Sequence, residues 1–408
     1  KEALERFPKV NKELVSMAIY YDAAMPSPER IAIEVLKDGQ ESNPNAVAFN
    51  YMSAVGATKD SVELRDELTG ETYQVEADLV INAAGPWIDF VNDAMGEPSN
   101  FIGGTKGSHI VLDNPELFEA LNGNEFFFEN EDGRIVLVFP VLDRVIVGTS
   151  DIRIDHPDDA VCTDEEVDYF IDLIDNIFPT IPVDPSQIVF RFSGVRPLPA
   201  ADAKTTGQIS RDHSNRIIEP SEKYQFPIFN LIGGKWTTFR AFSEQVSNAA
   251  LKRLKGARKA STANLPIGGG ADFPDTDEKR NVFIDEVVRK TEIDPQMVAA
   301  WLDRYGTGAA QIAKYISAEY PDDKPLADRP DYSTGEIAYL TEKEGAQHID
   351  DILLRRTVLA IMGYTTPNVI ADIADTMSGL LNWTAEQKAA EIDRVNQLLF
   401  KKHKVELV

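Results

Sequence analysis

The strongest constraint in this sequence is a change of periodicity near residue 270. Before it, short β-branched runs alternate with turns. After it, apolar residues recur at helical spacing to the end of the chain, and no strand pattern returns. Strands are expected at 45–55, 61–65, 71–75, 78–82, 134–139, 144–148 and 228–232, with a hairpin about Thr69-Gly70. Helices are expected between them at 27–37, 163–178 and 237–254, the first opened by Ser27 and Pro28, the second by Thr163. Further helices are expected at 275–291, 294–305, 308–318, 334–344, 350–361, 367–381 and 384–401. The glycine-rich stretch 265–270 reads as a linker. The pattern predicts an α+β or α/β unit over residues 1–264 and an all-α domain over 271–408. Residues 1–21 read as mid-domain sequence, a helix followed by extended chain, rather than as a leader.

Composition narrows the function. Lys and Arg number 41 against 67 Asp and Glu, a net charge of −26 over 408 residues. Such a surface repels phosphate backbones, so no nucleic-acid partner is expected. A small anion can still be held where cations converge locally. No apolar run reaches the ~18–20 residues that span a bilayer. The single cysteine, Cys162, has no internal partner and points to a reducing, cytoplasmic compartment. Histidines at 109, 156, 213, 348 and 403 lack zinc-ligand spacing, so no metal is expected.

Four stretches carry chemistry. Asn82-Ala83-Ala84-Gly85-Pro86-Trp87 follows a β-branched strand, and small residues there let a bulky ligand approach the backbone; a tight strand-to-helix turn is the alternative. Lys106-Gly107-Ser108-His109 heads another strand. His109, with an ordinary pKa of ~6.5, suits a general base, although a lone histidine is often only a structural hydrogen-bonding residue. Arg196 precedes Pro197, which stiffens the backbone aiming the guanidinium, and Arg211 follows; each suits an anion fork or a surface salt bridge. Gly233-Gly234-Lys235-Trp236-Thr237-Thr238 joins a strand, two glycines, a cation and a helix start whose free N–H groups attract electron-rich atoms. It lacks the phosphate-loop spacing of nucleotide triphosphatases, and a plain glycine-hinged helix start also fits. Lys106, Arg196, Arg211 and Lys235 all stand at strand ends beside glycine or a turn. With His109 they would furnish a pocket for a small phosphate or carboxylate.

Taken in order, these motifs resemble the FAD-dependent glycerol-3-phosphate dehydrogenases and the related α-glycerophosphate oxidases. The matching segments are NAAGPW (82–87), KGSHIVL (106–112), RIVLVFP (134–140), GTSD (148–151), SGVRPL (193–198), SRD (210–212) and GGKWTTFR (233–240). In the helical region, RYG (304–306), DILLRRT (351–357) and NWTAEQK (382–388) match as well. The resemblance implies an FAD/NAD(P)-binding-like oxidoreductase fold with a β-sheet substrate portion. It implies oxidation of sn-glycerol 3-phosphate to dihydroxyacetone phosphate by hydride transfer to FAD, with electrons passed to quinone or, in the oxidases, to oxygen. By position, Arg211 and Lys235 would bind substrate phosphate, and His109 and Arg196 would act at the reacting C2 hydroxyl, their separate roles open. Asn82, Ala83, Ala84, Gly85, Gly233, Gly234, Lys235, Trp236, Thr237 and Thr238 would line FAD. The connection 199–210 is short, which leans toward the quinone-linked dehydrogenase. Peripheral attachment to the inner face of the cell membrane and a homodimer are open assembly states. A non-catalytic scaffold, with the helical domain mediating oligomerisation, is the alternative of another class.

The family opens with a G-x-G-x-x-G turn that holds the ADP half of FAD, and none occurs in these 408 residues. The chain therefore reads as an N-terminally truncated, C-terminal fragment, expected by itself to bind FAD weakly or not at all.

Overall fold

The structure, a computed structural model, describes residues 2–130, 135–200 and 212–407. Helix α1 (Glu2–Arg6) leads into extended chain and then α2 (Pro28–Ser42). Strands β1 (Met52–Ala57), β2 (Ser61–Asp66) and β3 (Thr72–Glu76) form an antiparallel meander, its second turn at the expected hairpin. Strand β4 (Val80–Asn82) feeds α3 (Ile88–Ala94). A larger sheet follows, built from β5 (Thr105–Leu112), β6 (Phe126–Glu129), β7 (Ile135–Val141), β8 (Arg144–Gly148), β9 (Ile152–Arg153) and β10 (Ile188–Arg196). Its order is β10-β5-β8-β7-β6, with β9 on β5, and α4 (Pro115–Leu121) and α5 (Asp164–Ile177) lie in its connections. Strands β11 (Ser214–Ile218) and β12 (Ile228–Ile232) join β4 in a third sheet, where β12 and β4 run parallel, and α6 (Phe239–Arg253) follows. The remainder is helical: α7 (Asp277–Thr291), α8 (Pro295–Tyr305), α9 (Ala309–Glu319), α10 (Thr334–Glu344), α11 (Pro367–Leu381) and α12 (Ala385–His403). No helix among the described residues is long and apolar enough to cross a membrane.

Strand pleating decides what each face of the large sheet meets, because successive side chains point to opposite sides. On β5, Ile110 and Leu112 face α4 and α5, in a core with Leu117, Phe170 and Ile174. Val111 points the other way and joins Ile146 and Phe190 in a core with Trp301, Ile352 and Leu399. The helical region therefore lies directly on the sheet.

The same alternation turns Lys106 toward α5, which removes it from the group of cations expected to gather at a ligand. Its Nζ donates to Glu166 Oε2 and to the Val161 carbonyl, each at 2.6 Å. Glu166 also accepts from Ser150 Oγ at 2.5 Å and from the Thr163 amide at 2.9 Å, closing the capping box of α5. Burial alone would raise the Glu166 carboxyl; the Lys106, Ser150 and Thr163 donors outweigh it and hold the group below the usual range. Cys162, buried beside them, is pushed up to about 12 by burial and by Glu166, and is an inert thiol.

Other expectations need correction. Ser27 makes no side-chain cap on α2. The strand expected over 45–55 forms only from Met52. The helix expected over 350–361 is a wide turn, Asp351–Arg356, closed by the Thr357 amide on the Ile352 carbonyl. The 265–270 stretch is no loose linker: the Gly268 and Gly269 amides donate to Asp38 and Glu34 of α2. A Cβ on Gly269 would lie 1.8 Å from the Tyr305 carbonyl oxygen, so only glycine permits that contact.

Replacing Lys106 with methionine should lower stability by about 3–5 kcal/mol in equilibrium denaturation, because it strands a buried carboxylate. Lys106→Met combined with Glu166→Leu should recover most of that loss. A single variant as stable as the parent would show the pair to be energetically idle.

Candidate active site

Register brings two distant segments together. Strands β5 and β10 pair with His109 opposite Phe192 and Thr105 opposite Arg196, while β8 sets Gly148 opposite His109. The imidazole stacks on Phe192, centroids 4.7 Å apart and planes 7° from parallel. Its other flank is open only because residue 148 is glycine: a Cβ there would sit 2.1 Å from the imidazole Cδ2. Arg196 donates to Thr149 Oγ1 at 3.0 Å, to the Ser150 carbonyl at 3.3 Å and to Asp151 Oδ1 at 3.2 Å. A Cβ on Gly107 would lie 2.3 Å from Arg196 Nη2, so a second glycine gap admits the guanidinium. Both side chains therefore occupy one patch of the sheet.

Burial, and then the neighbouring positive charge of Arg196, push the His109 pKa down to about 4. The ring is neutral at neutral pH and free to accept a proton. Its Nδ1 is buried and has no hydrogen-bond partner among the described residues. A buried imidazole nitrogen without a partner, beside a fixed guanidinium, is what a ligand hydroxyl would complete.

The parallel strands β4 and β12 end level with one another, Asn82 beside Asn230. Beyond them the chain turns through Ala83-Ala84-Gly85 and Gly233-Gly234, with positive φ at Gly85 (59°), Gly233 (72°) and Gly234 (105°). A side chain at Gly233 would be strained and would also strike the Asp212 carbonyl at 2.7 Å. Ligands bind in the crevice outside the carboxyl ends of such parallel strands. A tight turn, Trp236–Thr238, leads into α6 there, so the helix begins two residues later than expected and presents its first amides beside the glycines. Small residues and helix-start N–H groups fit the electron-rich edge of a flavin ring, with Ala83, Ala84, Gly85 and Gly233 to Thr238 as the residues that would hold it. Asn82 is placed differently: its Nδ2 donates to the Ile88 carbonyl, Asn92 Oδ1 and Asn230 Oδ1, and its Oδ1 accepts from the Ala84 amide. It shapes the turn from beneath.

Lys235 is exposed at the end of this loop. The Gly233 amide donates to the Pro197 carbonyl at 2.9 Å, which ties the loop to the segment that follows Arg196. Arg211 lies outside the described residues. Sequence reasoning gave no role to Phe192, Gly148, Thr149 or Asp151. The GTSD motif was visible, but an aromatic inside a strand reads as core, and nothing local marks Phe192 as a platform for an imidazole.

Residues 1–222 match the family described as FAD dependent oxidoreductase, and residues 260–388 match the C-terminal domain of alpha-glycerophosphate oxidase. A probable mitochondrial glycerol-3-phosphate dehydrogenase of Dictyostelium discoideum is 28% identical, over 96% of this chain and 62% of its own length. An aerobic glycerol-3-phosphate dehydrogenase of Staphylococcus saprophyticus is 30% identical, over 96% of this chain and 70% of its own. The chain thus spans under two thirds of the first relative's length. The crystal structure of a glycerol-3-phosphate dehydrogenase from Bacillus halodurans complexed with FAD has the same fold, with a TM-score of 0.80 at 23% identity, over 98% of this chain and 78% of that one. This chain belongs to the FAD-dependent glycerol-3-phosphate dehydrogenase family, within the FAD dependent oxidoreductases.

Proposed function

We propose that this chain provides the substrate site and helical domain of an enzyme that oxidises sn-glycerol 3-phosphate to dihydroxyacetone phosphate and delivers the electrons to a quinone. The observation that carries the reading is the meeting of His109 and Arg196 over two glycine gaps, with one imidazole nitrogen left unpartnered. FAD, when bound, supplies the two-electron oxidant. Neutral His109 takes the proton of the C2 hydroxyl. The Arg196 guanidinium, fixed by Thr149 and Asp151, favours the alkoxide that forms. Lys235 and Arg211 hold the phosphate, whose negative charge offsets that of Arg196 and makes the imidazole more basic, though burial still holds its pKa down. The amides and small residues at 83–85 and 233–238 position the flavin ring. The glycine-rich turn expected to hold its ADP half is absent from this sequence, so affinity for FAD should be low in residues 1–408 alone. The short 199–210 connection favours quinone over oxygen as acceptor. Peripheral association with a membrane would bring the enzyme to a quinone dissolved there.

Three measurements test this. Histidine-ring NMR titration should place the His109 pKa near 4, and Arg196→Gln should raise it, since removing a nearby cation favours protonation. An unchanged value would mean that the two groups share no site. In the flavin-loaded enzyme carrying this chain, Arg211→Ala should raise KM for glycerol 3-phosphate by about 10- to 150-fold, the loss of a charge-assisted contact worth ~1.5–3 kcal/mol. An unaltered KM would favour the scaffold alternative. Purified residues 1–408 should show little flavin absorbance after mixing with FAD and gel filtration; stoichiometric yellow protein would refute the expected loss of the ADP cradle.

A further inference from the structure

A cavity of about 580 Å³ lies away from the His109–Arg196 patch, between residues 24–34, the 269–273 segment and the helical domain. Three arginines line it, and their partners separate them. Arg30 forms a two-pronged pair with Glu344, 2.5 and 3.0 Å, and lies 3.5 Å from Glu34. Arg304 lies 3.5 Å from Glu336 and 3.7 Å from Asp331. Arg356 is 7% exposed, yet among the described residues its hydrogen bonds go to a backbone carbonyl, that of Glu344, from Nη2 at 2.8 Å and Nε at 3.3 Å. No carboxylate among the described residues is within ion-pair distance of it. Burial disfavours every one of these cations; Glu344 overcomes it at Arg30 and Glu336 at Arg304, whereas at Arg356 burial prevails and the pKa falls below the ordinary arginine value.

The carboxylates of the cavity wall are already engaged. Glu34 accepts the Gly269 amide and faces Arg30, and Asp303 pairs with Arg280 at 2.5 Å. The cavity wall thus holds a buried guanidinium with no direct ion pair among the described residues, the carboxylates of Asp351 and Glu344 acting on it from longer range without offsetting its burial, in a chain whose net charge is −26. A buried guanidinium without a direct ion pair is costly, and a built pocket around it is the setting in which an anion offsets that cost. The rest of the wall is mainly apolar, with Met25, Ile31, Leu142, Phe273 and Val358. Pocket size suits a small organic molecule, and a wall of this kind selects one that carries hydrocarbon behind its charge.

We propose that this cavity is a second ligand site, taking an organic anion with a single carboxylate or phosphate head on Arg356 and an alkyl body against Met25, Leu142 and Phe273. The carboxylate and phosphate heads share this chemistry and are separated by the choice of probe.

Calorimetric titration of residues 1–408 with hexyl phosphate, hexanoate and inorganic phosphate tests the proposal. At least one alkyl anion should bind saturably, and inorganic phosphate should bind about tenfold more weakly or worse. The tighter alkyl probe identifies the head group. Arg356→Gln should weaken that probe by about tenfold or more, and Arg196→Gln, in the His109 patch, should leave it unchanged. Phe273→Ala removes a half-exposed ring outside the packed core; it should weaken the alkyl anion and spare inorganic phosphate, and it stands in should Arg356→Gln not fold. Absence of saturable binding by both alkyl anions, equal binding of inorganic phosphate, or loss of binding in Arg196→Gln would each overturn the proposal. The last result would move the anion to the proposed substrate site without damaging the reading of that site.

Discussion

The pleat of one strand, β5, organises the molecule. Its even-numbered side chains serve α5: Lys106 neutralises Glu166, Ser108 meets Ser193 Oγ at 2.5 Å, and Ile110 and Leu112 fill the core beneath. Its odd-numbered positions face the other side, where Gly107 yields to Arg196, His109 stacks on Phe192, and Val111 joins the helical core. A one-residue slip would exchange the two sets, burying an imidazole against α5 and turning Lys106 toward Arg196. The buried Lys106–Glu166 pair resists such a slip, because an unpaired charge on either face is expensive. One ion pair on the structural face thereby fixes the register that positions His109 on the chemical one.

Charge bookkeeping over the whole chain hides this local order. In a protein with 67 acids, many cations are paired where they stand, and the informative ones are those the fold leaves with incomplete compensation. Arg196 is braced by Asp151 yet still depresses the neighbouring imidazole. Arg356, among the described residues, is hydrogen-bonded to a carbonyl and paired directly with no carboxylate. Arg30, Arg355 and Arg394, by contrast, are held by Glu344, Asp350 or Glu391 and lock the helical domain to α2 and to itself. Counting basic residues at strand ends could not separate these classes, since the difference lies in which carboxylate the folded chain brings within reach.

Legibility followed range. The periodicity switch, the Thr163 cap, the hairpin near Gly70 and the strand 228–232 are local patterns, and they were readable because period and capping are encoded within a few residues. The fate of Lys106 was not, because its partner is 60 residues away and nothing in KGSH says which face the lysine takes. The GGG stretch read as a linker because glycine marks both loose chain and close approach. Only the Tyr305 carbonyl, against Gly269, decides for the second. The 350–361 segment has helical composition, but it closes on Thr357 through a wider turn set by packing against the sheet and α10. At the site, His109 and Arg196 were named from flanking glycine and proline, whereas Phe192 and Gly148 emerge only from strand pairing.

One side-chain contact joins the two proposed ligand regions. Met25, which lines the Arg356 cavity, also accepts a hydrogen bond at Sδ from Trp236 Nε1, 2.9 Å away, and Trp236 opens the turn that leads into α6. The chain from Met25 to Arg30 is short and enters α2 through Pro26 and Pro28, so it has little freedom to absorb a displacement between these contacts. A ligand that moved the Met25 side of the cavity would therefore act on the Trp236 turn through a single sulfur contact. The glycines at 233 and 234, whose positive φ values set the aim of that turn, are the place where such a movement would be taken up.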